Sequence, residues 1–366
     1  MSPARAPYME WAKTRPPARL DLAGSNLLPC TLEELPGARE EVDVAGESPD
    51  GYPPLIEAIA AHAGVDADRV ATAPGCSGAN FLALAALLSP GDEALVESPG
   101  YDPLVAAARM LGASVRRFPR RFREGYAVDT TAVAEGLTPR TRVVVISDPH
   151  NPSGALASER DLEGLAGLAA ERGLTVLVDE VYLDVVPPPR RAPAATRWRR
   201  FVSTSSLTKA YGLSALRCGW TIADAKTTAA IRRARDVVDV SGPIPAERLA
   251  ALAFRRLDAL SARMRTLVTA NAALVAGFLG SRGDLEHVPS RSTIVFPRLR
   301  DGGDGDRFAA ELLERRGVAV VPGSFFEAPA HFRIAFGGAT EAVRSGLEGI
   351  GRSLDDRAGG PARATP

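Results

Sequence analysis

A single lysine ends a hydroxyl-rich run in the middle of the chain. Residues 203–209 read Ser-Thr-Ser-Ser-Leu-Thr-Lys, and Lys209 is one of three lysines among 44 basic residues. A lysine amine, unlike an arginine guanidinium, becomes a neutral nucleophile when its surroundings lower its pKa. Arg217, eight residues later, can hold a dianionic phosphate through two parallel hydrogen bonds. The run is therefore a candidate for amine chemistry beside a bound anion, although such a run alone is more often only a turn.

Two polar segments follow predicted strands and carry groups suited to an aromatic cofactor. Asp179 comes directly after an apolar run at 174–178, where a buried carboxylate needs a cationic partner. A protonated pyridine nitrogen, as in pyridoxal phosphate (PLP), is one such partner, and capping of a following helix is the alternative. Asn151 lies between two prolines in the run 148–154, where its amide can donate to a ring hydroxyl or form an Asx turn.

Two further segments offer an anion site and a stacking ring. The run Gly75-Cys76-Ser77-Gly78 precedes a predicted helix, whose N-terminal N–H groups and dipole favour a phosphate. Ordinary helix capping explains the same residues. Tyr101 follows a strand predicted at 94–97 and can stack on a heteroaromatic ring or belong to the core.

The elements that must position these groups alternate between strand and helix from about residue 54 to 225. This rhythm predicts a mostly parallel α/β sheet. Strands are predicted at 94–97, 142–147, 175–178, 201–204 and 219–223, and helices at 78–88, 103–111 and 159–172. Open α/β sheets bind ligands beyond the carboxyl ends of their strands, so the polar residues that follow these strands stand where a ligand binds.

A second pattern begins after residue 241 and indicates a smaller α+β domain. One long helix is predicted over 246–279, followed by strands at 293–296, 318–321 and 332–336 and helices at 306–316 and 339–354. We expect four parts: an N-terminal arm that joins the small domain (1–45), a large domain (46–240), a small domain (241–354) and a disordered tail (355–366).

Composition excludes several classes of function. Positive and negative charges balance, so no net field attracts nucleic acid, and no run of eighteen apolar residues predicts a membrane span. Three widely spaced cysteines predict neither disulfides nor a metal site. We expect a cytoplasmic protein with small-molecule partners, and we interpret one basic cluster as a solvated surface turn: Arg116, Arg117, Arg120, Arg121 and Arg123.

Taken together, these segments resemble the class I/II aminotransferases, the aspartate-aminotransferase-like branch of fold-type I PLP enzymes. The resemblance runs from about residue 20 to 336 and rests on five motifs in family order: Asn-Pro-Ser-Gly, Asp-x-x-Tyr, Ser-x-x-Lys, Arg-x-Gly-Trp and Phe-Arg-Ile. It implies a large domain with a mostly parallel sheet between helices, a smaller α+β domain, a PLP cofactor and a homodimer. The implied reaction moves an amino group from an amino acid to a 2-oxo acid.

The resemblance also implies a role for each site residue. Lys209 would form the Schiff base with PLP and carry a proton, Asp179 would pair with the pyridinium nitrogen, and Arg333 would clamp the substrate α-carboxylate. The other expected roles are contact with the ring 3-hydroxyl by Asn151 and Tyr182, stacking by Tyr101, phosphate binding by Gly75, Cys76, Ser77, Ser206 and Arg217, and closure over the substrate by Gly24, with Asn151 also near the substrate.

The sequence departs from the family at a segment that normally reaches the neighbouring subunit's phosphate. Gly46 stands where the family has a tyrosine, so either Tyr52 replaces it from a shifted position or the contact is lost. Two alternatives to transamination remain open at this point. One is another PLP reaction on an amino acid by a lyase, decarboxylase or oxidase, and the other is a non-catalytic PLP-fold sensor.

Overall fold

The computed structural model describes residues 5–187, 189 and 191–359, with side chains to residue 357. The helices of these residues are α1 (Pro7–Thr14), α2 (Ala38–Glu41), α3 (Pro53–Ala63), α4 (Gly75–Leu87), α5 (Asp102–Met110), α6 (Thr130–Gly136), α7 (Glu159–Arg172), α8 (Ala194–Arg197), α9 (Leu207–Tyr211), α10 (Ala225–Val238), α11 (Ile244–Arg255), α12 (Leu257–Ser281), α13 (Gly305–Arg316) and α14 (Thr340–Gly359).

The strands of the same residues are β1 (Leu20–Asp21), β2 (Val70–Pro74), β3 (Glu93–Ser98), β4 (Ser114–Pro119), β5 (Thr141–Ser147), β6 (Thr175–Asp179), β7 (Phe201–Ser206), β8 (Cys218–Ile222), β9 (Leu285–Glu286), β10 (Ile294–Val295), β11 (Arg298–Leu299), β12 (Val318–Ala319), β13 (Val321–Pro322) and β14 (Phe332–Ala335). Short 3-10 turns occur at Ala67–Arg69, Phe122–Glu124, Leu183–Val185, Ser214–Leu216 and Gly323–Phe326.

One seven-stranded sheet organises the larger part of the molecule. Its order is β2-β8-β7-β6-β5-β3-β4, and β8 runs antiparallel to both neighbours while the remaining pairs are parallel. Side chains of β5 alternate between two apolar layers: Val144 and Ile146 pack on the side of α7, and Val143 and Val145 pack on the side of α4. The predicted α/β fold with a mostly parallel sheet is confirmed.

Three small sheets form a second structural region that includes the beginning of the chain. Strand β14 lies between β10 and β13 in an antiparallel sheet, and β9 pairs with β11. Strand β1 pairs in parallel with β12, with Leu20 opposite Val318. The N-terminal segment therefore joins a region whose other strands come from the last quarter of the chain.

Several predicted elements differ from the structure. Strands β2 and β4 were not predicted, and the long helix predicted over 246–279 is two helices separated at Arg256. The strand predicted over 318–321 is divided into β12 and β13, because its two halves pair with different partners, β1 and β14. Periodicity reports burial along one segment and carries no information on the pairing partner, so it could not divide this strand.

The predictions for the tail and for the basic cluster also need correction. Helix α14 continues to Gly359, where Asp355 accepts from Arg282 at 2.7 Å and Asp356 from Arg316 at 2.5 Å, so no disordered tail begins at residue 355. Residues 360–366 lie outside the described residues.

The basic cluster is not uniformly a solvated turn, because Arg120 is 1 % exposed. Its guanidinium donates to the buried Glu97 carboxylate at 2.8 Å and to the backbone oxygen of Tyr126 at 2.6 Å. A buried charge needs such a partner, and a partner distant in sequence is not visible in local composition.

No helix of the described residues is both long and apolar enough to cross a lipid bilayer.

Candidate active site

A cavity of about 340 Å³ opens at the carboxyl ends of β5, β6 and β7, beside the first turn of α4. Ten of the twelve predicted site residues line it: Gly24, Cys76, Ser77, Tyr101, Asn151, Asp179, Tyr182, Ser206, Lys209 and Arg217. Gly75 and Arg333, the remaining two, border it through contacts with Arg217 and Asn151. The crevice position follows from the strand topology, since parallel strands end together at one edge of the sheet.

Lys209 lies in the short helix α9, which begins one residue after β7. The Ser206 hydroxyl accepts from the backbone N–H of Thr208 at 3.3 Å and caps this helix. The Lys209 Nζ donates to Ser25 Oγ at 2.9 Å and to Asn26 Oδ1 at 2.7 Å. Burial, reinforced by the positive charge of Arg333, lowers the pKa of Lys209 to about 7. A neutral amine is therefore available at neutral pH.

Asp179 ends β6 on the floor of the cavity and is 6 % exposed. Its Oδ1 accepts from the Val181 backbone N–H at 3.1 Å and lies 3.3 Å from the Cys76 thiol sulfur. Its Oδ2 accepts from the side-chain amide of Asn80 at 2.7 Å. Burial raises the pKa of Asp179, and the hydrogen bond from Asn80 opposes that rise.

An anion cradle lies where α4 and Arg217 meet. Cys76 and Ser77 stand in the first turn of α4, a thirteen-residue helix whose N-terminus carries partial positive charge. Arg217, in a left-handed conformation with φ of 49°, donates to the Pro74 carbonyl at 3.3 Å. A Cβ at Gly75 would lie 2.2 Å from Arg217 Nη2, so the guanidinium holds its present position because this residue is glycine. The cradle fits a phosphate dianion.

Arg333 is fully buried on β14, and its guanidinium donates hydrogen bonds to neutral groups. Its Nη1 donates to Asn151 Oδ1 at 2.9 Å, and its Nη2 donates to the Tyr8 hydroxyl at 2.7 Å and to the Ala23 carbonyl at 3.0 Å. Among the described residues its Nε has no hydrogen-bond partner. A buried guanidinium with a donor to spare is suited to an anionic ligand group.

Aromatic rings enclose the cavity from two directions. The Tyr182 ring centre lies 6.0 Å from Lys209 Nζ, and burial raises the pKa of Tyr182 to about 12. Tyr101 immediately precedes α5, and its ring meets Tyr8 edge-on at 5.9 Å. Both tyrosines stay neutral near neutral pH, since burial also raises the pKa of Tyr101 well above its usual value.

Several residues that line the cavity from the N-terminal segment, and one residue of α4 that hydrogen-bonds to Asp179, were not predicted from the sequence. Tyr8, Met9 and Ala12 of α1 and the pair Ser25 and Asn26 line it. No local signal marks them, because a tertiary contact brings α1 there: the Tyr8 backbone N–H donates to Asp102 Oδ2 at 2.9 Å. Asn80 was also missed, although it follows Cys76 by four residues on one helix, a spacing that puts both on one face.

The segment that departs from the family is anchored away from the cavity of its own chain. Gly46 has a φ of 139°, and a Cβ there would meet Ile244 at 3.3 Å. The Tyr52 backbone N–H donates to the buried Glu247 carboxylate at 2.7 Å, and the Ser48 hydroxyl donates to the same oxygen. Tyr52 is not among the described residues that line the cavity.

The fold and site together define a PLP-binding enzyme of α/β architecture, and comparison with known proteins gives its family. Residues 20–350 match the family model "Aminotransferase class I and II". Capreomycidine synthase of Streptomyces vinaceus is 34 % identical over 300 residues, which cover 81 % of this chain and 77 % of that protein. A probable N-succinyldiaminopimelate aminotransferase of Mycobacterium tuberculosis is also 34 % identical, over 76 % of this chain and 74 % of the other.

Solved structures agree with this assignment. A PLP-dependent aminotransferase from Streptococcus suis superposes with a TM-score of 0.90 at 25 % identity, covering 97 % of this chain and 98 % of the other. The N-succinyldiaminopimelate aminotransferase structure from Mycobacterium tuberculosis gives 0.86 at 28 % identity, covering 96 % and 97 %. The chain therefore belongs to the class I and II aminotransferases and is a PLP-dependent aminotransferase, as the five motifs predicted.

Proposed function

We propose that this cavity holds PLP bonded to Lys209 and that an amino acid and a 2-oxo acid react there in turn. The observation that carries the proposal is the position of the Lys209 amine, whose pKa is lowered to about 7, in a cavity that also contains the anion cradle and Asp179. Arg217, Cys76 and Ser77 would hold the phosphate. When bound, PLP withdraws electron density from the substrate α-carbon.

The protein groups around the cofactor would each perform one task. Asp179 would keep the ring nitrogen protonated, because a buried carboxylate is stabilised by a cation beside it. Asn151 and Tyr182 would contact the ring hydroxyl, and Tyr101 would stack on the ring. Lys209, released from the cofactor, would accept a proton from the substrate α-carbon and return it, a task for which a pKa near 7 is suited.

Substrate recognition would centre on Arg333. Its guanidinium is buried among neutral acceptors, and its Nε lacks a partner within the described part of the chain. A substrate α-carboxylate would supply two anionic oxygens in the planar geometry that arginine binds best. Gly24, which lines the cavity beside Ser25, would close over this group.

Borohydride reduction tests the central claim, because it fixes bound cofactor onto the lysine that carries it. Peptide mapping should find the label on Lys209, while Lys13 and Lys226 serve as internal controls. Labelling of either control lysine, or failure to retain cofactor after reconstitution, would contradict the proposal.

A single-turnover experiment separates transamination from the alternatives. Without an amino acceptor, an amino acid should release 2-oxo acid in an amount equal to the active sites and then stop. Continued turnover would indicate a lyase, carbon dioxide a decarboxylase and oxygen consumption an oxidase. The distinction is worth measuring because one relative at 34 % identity, capreomycidine synthase, is named as a synthase and not as an aminotransferase.

A homodimer is the assembly that we propose. Five valines are exposed on the segment 42–50 and at the end of α10: Val42, Val44, Val237, Val238 and Val240. The two segments are neighbours, since Arg233 Nη2 of α10 donates to Asp50 Oδ1 at 2.8 Å. Apolar patches of this kind mark subunit contacts. Light scattering should give twice the chain mass, and Val44→Asp should weaken the assembly.

Two further expectations stay proposals. We place the domain boundaries near residues 45 and 241, supported by the division of strands between the seven-stranded sheet (70–222) and the small sheets (20–21 and 285–335). We propose a cytoplasmic location, supported by three cysteines that are all free thiols. Limited proteolysis tests the domain boundaries, and cell fractionation tests the location.

A further inference from the structure

A chain of buried hydrogen bonds connects Thr204 and Asn80 to Asp179. Neither Thr204 nor Asn80 is among the described residues that line the cavity. Thr204 of β7 donates through Oγ1 to Asn80 Oδ1 at 2.6 Å, and Asn80 Nδ2 donates to Asp179 Oδ2 at 2.7 Å. Thr204 is 0 % exposed and Asn80 is 3 % exposed. Water therefore cannot replace these contacts without a rearrangement of the core.

The carboxylate at one end of this chain fixes the orientation of the Asn80 amide. A carboxylate only accepts hydrogen bonds, so the Asn80 atom facing Asp179 must be the NH₂ group. The Asn80 carbonyl oxygen then faces Thr204, whose hydroxyl donates to it. The carboxylate thus selects the orientation of the amide, and the Thr204 hydroxyl helps to hold the amide in place by satisfying its carbonyl oxygen.

We propose that Asn80, held in place by Thr204, is a positioning residue that keeps Asp179 ionised and fixed for the ring nitrogen of the cofactor. The proposal rests on the role given to Asp179 above and deepens it. Neither residue belongs to the five motifs that carry the family resemblance, and both act through Asp179 rather than by contact with the cofactor.

The balance of forces on Asp179 explains why a donor is needed. Burial raises the pKa of this carboxyl, and the largest opposing contribution is the hydrogen bond from Asn80, followed by the Val181 N–H and the Cys76 thiol. Without Asn80, the proton shared with the ring nitrogen would move toward Asp179, because the carboxylate would lose its strongest neutral donor.

The other titratable groups that face Asp179 supply no lasting positive charge that would replace the hydrogen bond from Asn80. Cys76 of α4, Tyr101 and Tyr182 stay neutral near neutral pH, since burial raises the pKa of each. Lys209 of α9 is cationic only below a pKa of about 7, and its amine would be bonded to the cofactor in the resting enzyme. Asn80 is therefore the largest contributor among the donors that do not titrate, ahead of the Val181 backbone N–H.

Thr204→Val provides the sharpest test, because the substitution removes one hydroxyl from a side chain of nearly constant shape. Thr204→Ser retains the hydroxyl and should behave as the wild type. Thr221→Val is the matched control: Thr221 lies opposite Thr204 on β8, and its Oγ1 has no partner among the described residues. Asn80→Leu removes the amide itself, and Asp179→Ala gives the reference effect.

Two measurements report on the carboxylate rather than on turnover. Equilibrium dialysis gives the affinity of each apoenzyme for PLP across pH, and NMR of PLP labelled at its ring nitrogen gives the protonation of that atom. Asn80→Leu should move the acid limb of the affinity profile to higher pH by about one to two units, the shift expected for loss of a hydrogen bond to a charged group. Thr204→Val should move it in the same direction by less, because the hydrogen bond that it removes joins two neutral groups. In both variants the ring nitrogen should lose proton density.

Different outcomes overturn different claims. If Thr204→Val and Asn80→Leu keep the wild-type profile while Asp179→Ala does not, Asn80 has no positioning role and the proposed function stands. An equal shift in Thr221→Val would mean that the effect is one of packing, which also overturns the inference. If Asp179→Ala itself leaves the ring nitrogen protonated, the role proposed for Asp179 fails.

Discussion

The floor and the roof of the cavity are built from different parts of the chain. The cavity floor lies at the strand ends of one sheet and comprises Cys76, Asp179, Ser206 and Lys209. The cavity roof is assembled from the two ends of the chain and comprises Tyr8, Ser25, Asn26 and Arg333. Arg333 and Tyr8, 325 residues apart, share a hydrogen bond of 2.7 Å.

With the roles proposed above, this difference separates cofactor chemistry from substrate recognition. The floor is rigidly defined by neighbouring strands in register, where Ser147 lies opposite Asp179 and Asp179 opposite Thr204. The roof depends on the docking of α1 and of residues 23–26 against β14. Changes in the floor should therefore affect the chemical step, and changes in the roof should affect substrate binding.

Replacement of Lys209 should give the largest loss. Lys209→Ala removes the amine that we propose bonds the cofactor and carries the proton, so the rate of the amino-acid half-reaction should fall by at least about 10⁴-fold. Lys209→Arg retains the charge without a titratable amine and should not restore the rate. Rapid-mixing kinetics of 2-oxo acid formation measure the effect. A loss of less than tenfold in Lys209→Ala would remove Lys209 from the floor chemistry.

Replacement of Arg333 should act on the substrate and spare the cofactor. Arg333→Lys loses the planar guanidinium, so kcat/KM should fall about 30- to 150-fold. This fall corresponds to about 2–3 kcal/mol of transition-state stabilisation, as expected for a charged hydrogen bond. Arg300→Lys is the matched control, because Arg300 forms an exposed ion pair with Glu286 at 3.4 Å. Its effect on kcat/KM should correspond to less than about 1 kcal/mol.

The same variant should discriminate between substrates with and without a carboxylate. An amino acid should lose most of its kcat/KM, whereas the corresponding amine without the carboxylate should be unaffected. Equal losses on both compounds would contradict the roof assignment of Arg333.

The pH dependence of cofactor loading should report on the floor. In the proposed role only neutral Lys209 would react with the cofactor carbonyl, so the loading rate of apoenzyme should rise with pH and level off above a pKa of about 7. Below that pKa the rate should fall about tenfold per pH unit, because each unit lowers the neutral fraction tenfold. Stopped-flow absorbance measures this rate. A midpoint near 10, the value of an ordinary lysine, would show that the cavity does not depress this pKa.

Removal of the Tyr8 hydroxyl should give the smallest effect. Tyr8→Phe takes one neutral acceptor from Arg333, so KM should rise by about 2- to 10-fold with kcat little changed, the effect of one net hydrogen bond. Tyr126→Phe is the control, because the buried Tyr126 hydroxyl has no partner among the described residues. A fall in kcat with constant KM for Tyr8→Phe would contradict the expectation that roof residues affect substrate binding and not the chemical step.

Much of the floor could be predicted from sequence because its residues are local to strands. Asp179 follows a buried apolar run, Ser206 and Lys209 belong to the hydroxyl-rich run at the end of the next strand, and the parallel topology brings such ends together. Arg333 was also expected at the site, but on the family resemblance alone. The hydrogen bonds that define its surroundings, to Tyr8 and Ala23, join segments with no pattern in common.

The sequence by itself determined the α/β fold, the positions along the chain of five of the seven strands in the main sheet, and the residue types available for PLP chemistry, because periodicity and polar strand ends are properties of short segments. Tertiary structure alone decided that α1 covers the cavity, that Asn80 and Thr204 support Asp179, and that Arg120 is a buried ion-pair partner rather than a surface charge. Each of these depends on which distant groups share a low-dielectric interior. That neighbourhood sets the pKa of Lys209 and of Asp179, and no window of sequence contains it.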